Sequence, residues 1–218
     1  SDLESGKVLY RKNLSGDANH AFGRRMVPYG NKALLPSDGE LTVIDPRTGT
    51  QQLSIYIPGK SQMSPAVTGT TAWIVTNEGT FYGFNLEDGG KAVITIKTGA
   101  VQPVALAPVI FDGKAVFAGR RGTVVCIDIN AQRILWEKPL AIDRNILVDR
   151  DLLAGPEGVF AFSGNTLYAM NTHNGNSLFA PISGLSALPL YTEGKLYAGS
   201  LDGHLKIIVA ADGSLEKS

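Results

Sequence analysis

Apolar and polar residues alternate in short runs along the chain. β-Branched and aromatic side chains dominate each run, and Gly, Pro, Asn or Asp closes it. Few windows of a dozen residues escape a Gly or a Pro, so a helical period has little room to build. The pattern predicts an all-β protein. One stretch admits two readings: in LAIDRNILVDRDLL, Leu140 to Leu153, the residues Ile142, Ile146 and Leu153 could share a helical face, but an extended loop leading into a strand is the preferred reading.

The turns between the runs recur in register. Asp45 opens DPRTG, Asn85 opens NLEDG, Asp128 opens DINAQ, Asn171 opens NTHNG and Val209 opens VAADG, at separations of 40, 43, 43 and 38 residues. Six residues before these anchors stand Gly39, Gly79, Gly122, Asn165 and Gly203, types that take a positive φ cheaply in a tight hairpin. Twenty residues before them stand Pro65, Pro108 and Pro189, with Asp151 in the fourth repeat and Pro28 displaced by three in the first. A proline there marks the start of a strand, where a missing N–H is tolerated. Within DPRTG the Asp carboxylate can cap the N–H groups of its own turn, Pro46 presets φ and Gly49 supplies a left-handed exit.

Each repeat therefore holds four short strands. In the third they fall near Ala107 to Phe111, Lys114 to Gly119, Thr123 to Asp128 and Ile134 to Lys138. Joined by hairpins they form an antiparallel meander of the length of a β-propeller blade. A sandwich is the competing fold, but sandwich turns do not repeat in register. DLESG at Asp2 to Gly6 copies the anchor turn, and KVLYRKNL after it reads as an outermost strand without partners ahead of it. The expected architecture is a five-bladed ring in which this N-terminal strand completes the last blade and leaves no open sheet edge, with a fragment of a larger ring as the alternative. Residues 1–218 read as one domain, and SDLESGK, without an initiator Met, reads as a segment excised from a longer chain.

Composition narrows the function classes. Twenty basic and 20 acidic residues balance, so no global field favours nucleic acid or an anionic membrane surface. No apolar run reaches the roughly 20 residues that span a bilayer as a helix. Cys126 is the only cysteine, which excludes an internal disulfide and a multi-cysteine metal site. Common phosphate, zinc and acyl-transfer motifs are absent, and His20, His173 and His204 fall in different loops. No metal site or bound cofactor is expected.

The best copies of the repeat are DLESGKVLY, GTVVCIDINAQRILW and NTLYAMNTHNGNSLF. A Gly-led strand, an Asp-x-x-x-Gly turn, then Lys or Arg before an aromatic resembles the PQQ-like repeat of quinoprotein dehydrogenases and BamB-like outer-membrane assembly scaffolds. The resemblance covers almost the whole chain. In the dehydrogenases the family typically pairs the quinone with a Trp floor, often a vicinal disulfide, and Ca²⁺ with acidic and amide ligands. Here Cys126 has no partner, Trp136 falls on an outer strand and Trp73 on a second strand. The resemblance therefore implies a scaffold in an extracytoplasmic, periplasmic setting rather than an enzyme, and one fold can host many functions.

In a four-stranded blade, the second-to-third hairpin and the linker into the next blade open on the same face of the ring. That face is expected to carry Arg24, Arg25, Lys60, Gln62, Gln102, Arg120, Arg121, Arg144, Arg150, Asp202 and His204, with the longer linkers Ser15 to Arg25 and Leu140 to Arg150. Loops on a rigid scaffold are where binding residues concentrate, and arginine forks clamp carboxylates. Three readings follow: capture of a protein or peptide partner at this face, recognition of a small sugar or anion at the axial funnel, and a degenerate quinoprotein. Solvation alone also accounts for charged loops, since Asp17, Asp38, Glu78, Asp143 and Asp149 offset the cations.

Overall fold

The computed structural model describes residues 8, 25–37, 39–61, 63–100, 107–140, 148 and 151–217. They form consecutive antiparallel sheets, one per repeat, and no helix. Blade 1 contains β1 (Val27–Tyr29), β2 (Lys32–Ser37), β3 (Glu40–Ile44) and β4 (Gln51–Tyr56). Blade 2 contains β5 (Ala66–Thr68), β6 (Thr71–Val75), β7 (Thr80–Asn85) and β8 (Lys91–Lys97), and blade 3 contains β9 (Val109–Phe111), β10 (Lys114–Ala118), β11 (Thr123–Asp128) and β12 (Arg133–Pro139). Blade 4 has only β13 (Leu153–Ala154), β14 (Val159–Ser163) and β15 (Thr166–Met170) as regular strands; blade 5 has β16 (Leu190–Thr192), β17 (Lys195–Gly199), β18 (Leu205–Val209) and β19 (Leu215–Lys217). The all-β propeller architecture agrees with the reading of the sequence, and Pro65, Pro108 and Pro189 each stand immediately before the first strand of a blade.

The anchor turns work by side-chain capping. Asp45 Oδ1 accepts the Arg47 N–H at 2.8 Å, Asn85 Oδ1 that of Glu87 at 3.0 Å, Asp128 Oδ1 that of Ala131 at 2.8 Å and Asn171 Oδ1 that of His173 at 2.9 Å. In blade 3 the glycine slot holds Gln132, which adopts the left-handed φ of 52° itself. In blades 1, 2, 3 and 5 the register between the third and outer strands shifts by one residue just before the anchor turn, between Val43 and Ile44, Gly83 and Phe84, Cys126 and Ile127, and Ile207 and Ile208. This shift, a β-bulge, adds local twist to the outer strand pair.

Two expectations are adjusted. The outer position of blade 5 is held by β19 from the same repeat. The segment expected there, Lys7 to Leu14, lies outside the described residues apart from Val8. In the blade 4 hairpin Gly164, not Asn165, takes the positive φ of 56°, and the Asn165 amide instead donates to the Leu185 carbonyl at 2.7 Å. Of the stretch with two readings, residues 141–147, 149 and 150 lie outside the described set, and Leu153 begins β13.

Blades stack face to face, and the core lies between them. One cluster joins blades 1 and 2 through Leu34, Val43, Ile74 and Phe84. A second runs through blades 2, 3 and 4, where Trp73, Phe81 and Phe117 stack with centroids 5.6 and 5.8 Å apart. A third joins blades 4 and 5 through Phe160, Phe162, Leu196 and Ile208. None of the three joins blade 5 to blade 1.

Candidate functional site

The face expected to bind is assembled by the backbone. Each linker leaving an outer strand donates to the hairpin of its own blade: Ile57 to the Gly39 carbonyl at 2.8 Å, Thr98 to Gly79 at 2.9 Å, Leu140 to Gly122 at 2.7 Å and Leu185 to Asn165 at 3.1 Å. The linkers also accept from the hairpin of the next blade, Asn77 donating to Lys60 at 2.6 Å and Leu201 to Gly184 at 2.8 Å. Hairpins and linkers thus share one face and are tied to each other, so a side chain there projects from a fixed base.

Three hairpins are the same turn. Gly79, Gly122 and Gly203 donate back to Thr76, Gly119 and Ser200, while those residues donate forward to Thr80, Thr123 and His204. Arg120 and Arg121 are the two central residues of the blade 3 turn; both are exposed, and neither makes an ion pair among the described residues. Lys60 is also exposed, with its carbonyl held by Asn77. Arg25 is exposed, and its N–H donates to Ser64 Oγ at 2.6 Å, which ties the entry of blade 1 to that of blade 2.

Asp202 and His204 do different work. The Asp202 carboxylate accepts hydrogen bonds from Ser200 and His204 within its own turn, which holds its pKa down at about 2. His204 Nδ1 lies 3.2 Å from Asp202 Oδ1, and Lys206 Nζ lies 4.0 Å from Oδ2. This pair is engaged in closing a hairpin. Arg24, Gln62, Gln102, Arg144 and Arg150 lie outside the described residues, as does His20. The sequence reading passed over Leu201, which occupies the hairpin position of Arg120 and is 66% exposed; aligning the hairpins position by position is the signal that finds it.

On the same side, the entries of all five innermost strands line a cavity of about 370 Å³, with Arg25, Met26, Pro65, Pro108, Asp151 and Leu188 among its walls. PQQ is a flat quinone with three carboxylates. Among the described residues, the lining holds one cation, Arg25, and no aromatic side chain. Both tryptophans lie between or within blades: Trp73 Nε1 donates to Thr68 Oγ1 at 2.7 Å, and Trp136 Nε1 donates to the Thr172 carbonyl of blade 4 at 2.8 Å. Cys126 is fully buried, and burial pushes its thiol up to about 11, far from a reactive thiolate. These described residues do not fit the quinone.

Similarity to known proteins follows the same lines. Residues 1–218 match the family model described as "Outer membrane protein assembly factor BamB". A curated relative, outer membrane protein assembly factor BamB of Francisella tularensis subsp. tularensis, is 22% identical over 173 residues, 73% of this chain and 36% of the relative. The crystal structure of BamB from Moraxella catarrhalis superposes with a TM-score of 0.61 at 20% identity, covering 85% of this chain and 57% of that one. The computationally designed protein Ika8 superposes with a TM-score of 0.69 at 16% identity, covering 88% of this chain and 59% of that one. This chain therefore spans only part of the length of each. With a family match along its entire length and a propeller repeat in every blade, the chain belongs to the BamB-like family of PQQ-like repeat proteins.

Proposed function

We propose that residues 1–218 form a non-catalytic propeller scaffold that holds a protein or peptide segment on its hairpin-and-linker face, in the periplasmic setting of outer-membrane protein assembly. The observation that carries this reading is the Arg120–Arg121 pair: two guanidinium groups, exposed and without an ion pair among the described residues, on a turn whose backbone is fixed at both ends. A rigid pair of forks suits carboxylates of an acidic or extended segment, and placing it on a tied loop lowers the ordering cost of capture. Arg25 and Lys60 extend the same cationic surface, and family membership supports the setting.

The double substitution Arg120→Glu with Arg121→Glu tests it. Co-purification of outer-membrane assembly components from envelope extracts should fall at least about tenfold, corresponding to ~1.4 kcal/mol or more, while the thermal midpoint stays unchanged. Undiminished recovery overturns the chosen face. A second reading has its own observation: the cavity of about 370 Å³ could house a small sugar or anion beside Arg25. A thermal shift with a ligand panel that disappears in Arg25→Ala would favour it over the scaffold.

A further inference from the structure

Blade 4 holds its outer segment differently from the other blades. In blade 3 the outer strand follows β11 with one shift of register, Val124 opposite Lys138 and Cys126 opposite Trp136. The corresponding segment of blade 4 meets β15 at two points, Ser177 opposite Met170 and Ile182 opposite Leu167. It takes five residue steps from Ser177 to Ile182 where β15 takes three from Leu167 to Met170, so the chain between them arches off the sheet edge. Pro181 stands in the arch without an N–H to rejoin the ladder.

The arch leaves a donor behind. Ala169 is 3% exposed, and its carbonyl accepts the Leu178 N–H at 3.0 Å on the outer side of β15. The N–H and C=O of an antiparallel strand residue point to the same side, so the Ala169 N–H also faces outward, and no acceptor for it stands among the described residues. A buried backbone donor rarely stays unpaired. Alongside, between the arch and the end of β12, lies a cavity of about 520 Å³. Tyr168, Met170, Phe179, Pro181 and Leu140 give it apolar walls. Among the described residues Lys138 is the one cation in its lining and no carboxylate lines it; the ammonium donates to the neutral Asn176 Oδ1.

We propose that this cavity is a binding site for a small apolar acid, an aryl or short acyl carboxylate. Its oxygens take the Ala169 N–H and the Lys138 ammonium, and its body lies against Tyr168 and Phe179. The orphan donor calls for an acceptor, and a lone cation without a carboxylate beside it favours an anionic one. The walls set the rest of the molecule: a sugar would bury hydroxyls against Met170, Phe179 and Pro181 without partners, whereas an apolar body gains from the same contact. The volume falls in the range of roughly 300–1,000 Å³ usual for small-ligand sites. A single water would meet the N–H and leave the apolar walls uncovered. None of these residues belongs to the cationic surface of Arg25, Lys60, Arg120 and Arg121 or to the cavity beside Arg25.

Titration of the isotope-labelled chain with naphthoate, cinnamate and octanoate, followed by amide correlation spectra, tests this. At least one acid should saturate with a Kd of about 10–1,000 µM and move the Ala169 amide proton downfield as its hydrogen bond forms. The alcohol of the same carbon skeleton should bind at least about tenfold more weakly than that acid. Lys138→Met, which keeps the stem and removes the charge, should weaken the acid at least about tenfold and leave the alcohol unchanged. Ser177→Phe, filling the cavity from its rim, should abolish binding of both, with circular dichroism and the thermal midpoint of either variant unchanged. No saturable shift at Ala169 with any of the three acids up to about 5 mM overturns the proposal. So does saturation that leaves the Ala169 amide unmoved, an alcohol that binds as tightly as its acid, or a Lys138→Met chain that binds the acid undiminished.

Discussion

Blades 3 and 5 are built to one plan and live in different surroundings. Both pair their second and third strands in the same register, Val116 with Cys126 in one and Tyr197 with Ile207 in the other, and both carry the bulge one step further on. Blade 3 is enclosed on two sides, so Val116, Phe117, Val124, Val125, Cys126 and Ile127 are all fully buried. Among the described residues blade 5 packs against a blade on one side, and its strands revert to alternation: Leu196 and Ala198 buried, Lys195, Tyr197 and Gly199 half-buried. The comparison teaches that a repeat's hydrogen-bond pattern is local, while the stability drawn from a given side chain depends on whether another blade covers it.

A position-matched pair gives the sharpest way to break this comparison. Val124 and Leu205 occupy the same place in their repeats, the first fully buried and the second 58% exposed. Val124→Asp should cost more than about 4 kcal/mol, enough to unfold the chain, because the carboxylate has no partner in the core. Leu205→Asp, measured in dilute solution by urea unfolding, should stay within about 0.5 kcal/mol. Similar losses at the two sites would show that the face of blade 5 turned away from blade 4 is covered in solution.

The next effect in size comes from Cys126, whose thiol is raised from 9.0 to about 11 by burial. The folded state keeps the proton that the unfolded state releases, so stability is full below pH 9 and falls as pH rises toward 11, by about 2–3 kcal/mol. Urea midpoints across that range should flatten in Cys126→Ala; an unchanged slope would mean that other groups set it. The smallest of the three is Trp136→Phe. It removes the N–H that holds the Thr172 carbonyl of the next blade and should cost about 1–2 kcal/mol, read as a lower thermal midpoint. Gly175→Ala should act on the same contact from the other side, since its Cβ would lie 2.6 Å from the Trp136 ring and its φ is 67°.

Much of the fold was legible because it rests on local chemistry. The Asp and Asn anchors cap their own turns, glycines supply left-handed exits, and prolines stand at strand starts, so the repeat and the strand order follow from spacing, while the strand count does not in blade 4, with three regular strands, or in blade 5, whose outer strand is β19. That hairpins and linkers share a side was legible for the same reason, as those of a meander must emerge together. Less visible were the roles within it. Arg120 and Asp202 are both polar hairpin residues in the sequence, and only the contacts separate an outward-facing guanidinium from a carboxylate closing its own turn. Trp136 looked like an outer-strand aromatic and proved to be a bolt into blade 4.

What the amino-acid sequence determined alone, then, is the blade: its strands, its turns and the side on which its loops open, because each depends on residues a few positions apart. What the tertiary structure decided is which faces of those blades are covered, since the burial of Val124 and the exposure of Leu205 depend on a neighbouring sheet and not on the strand that carries them.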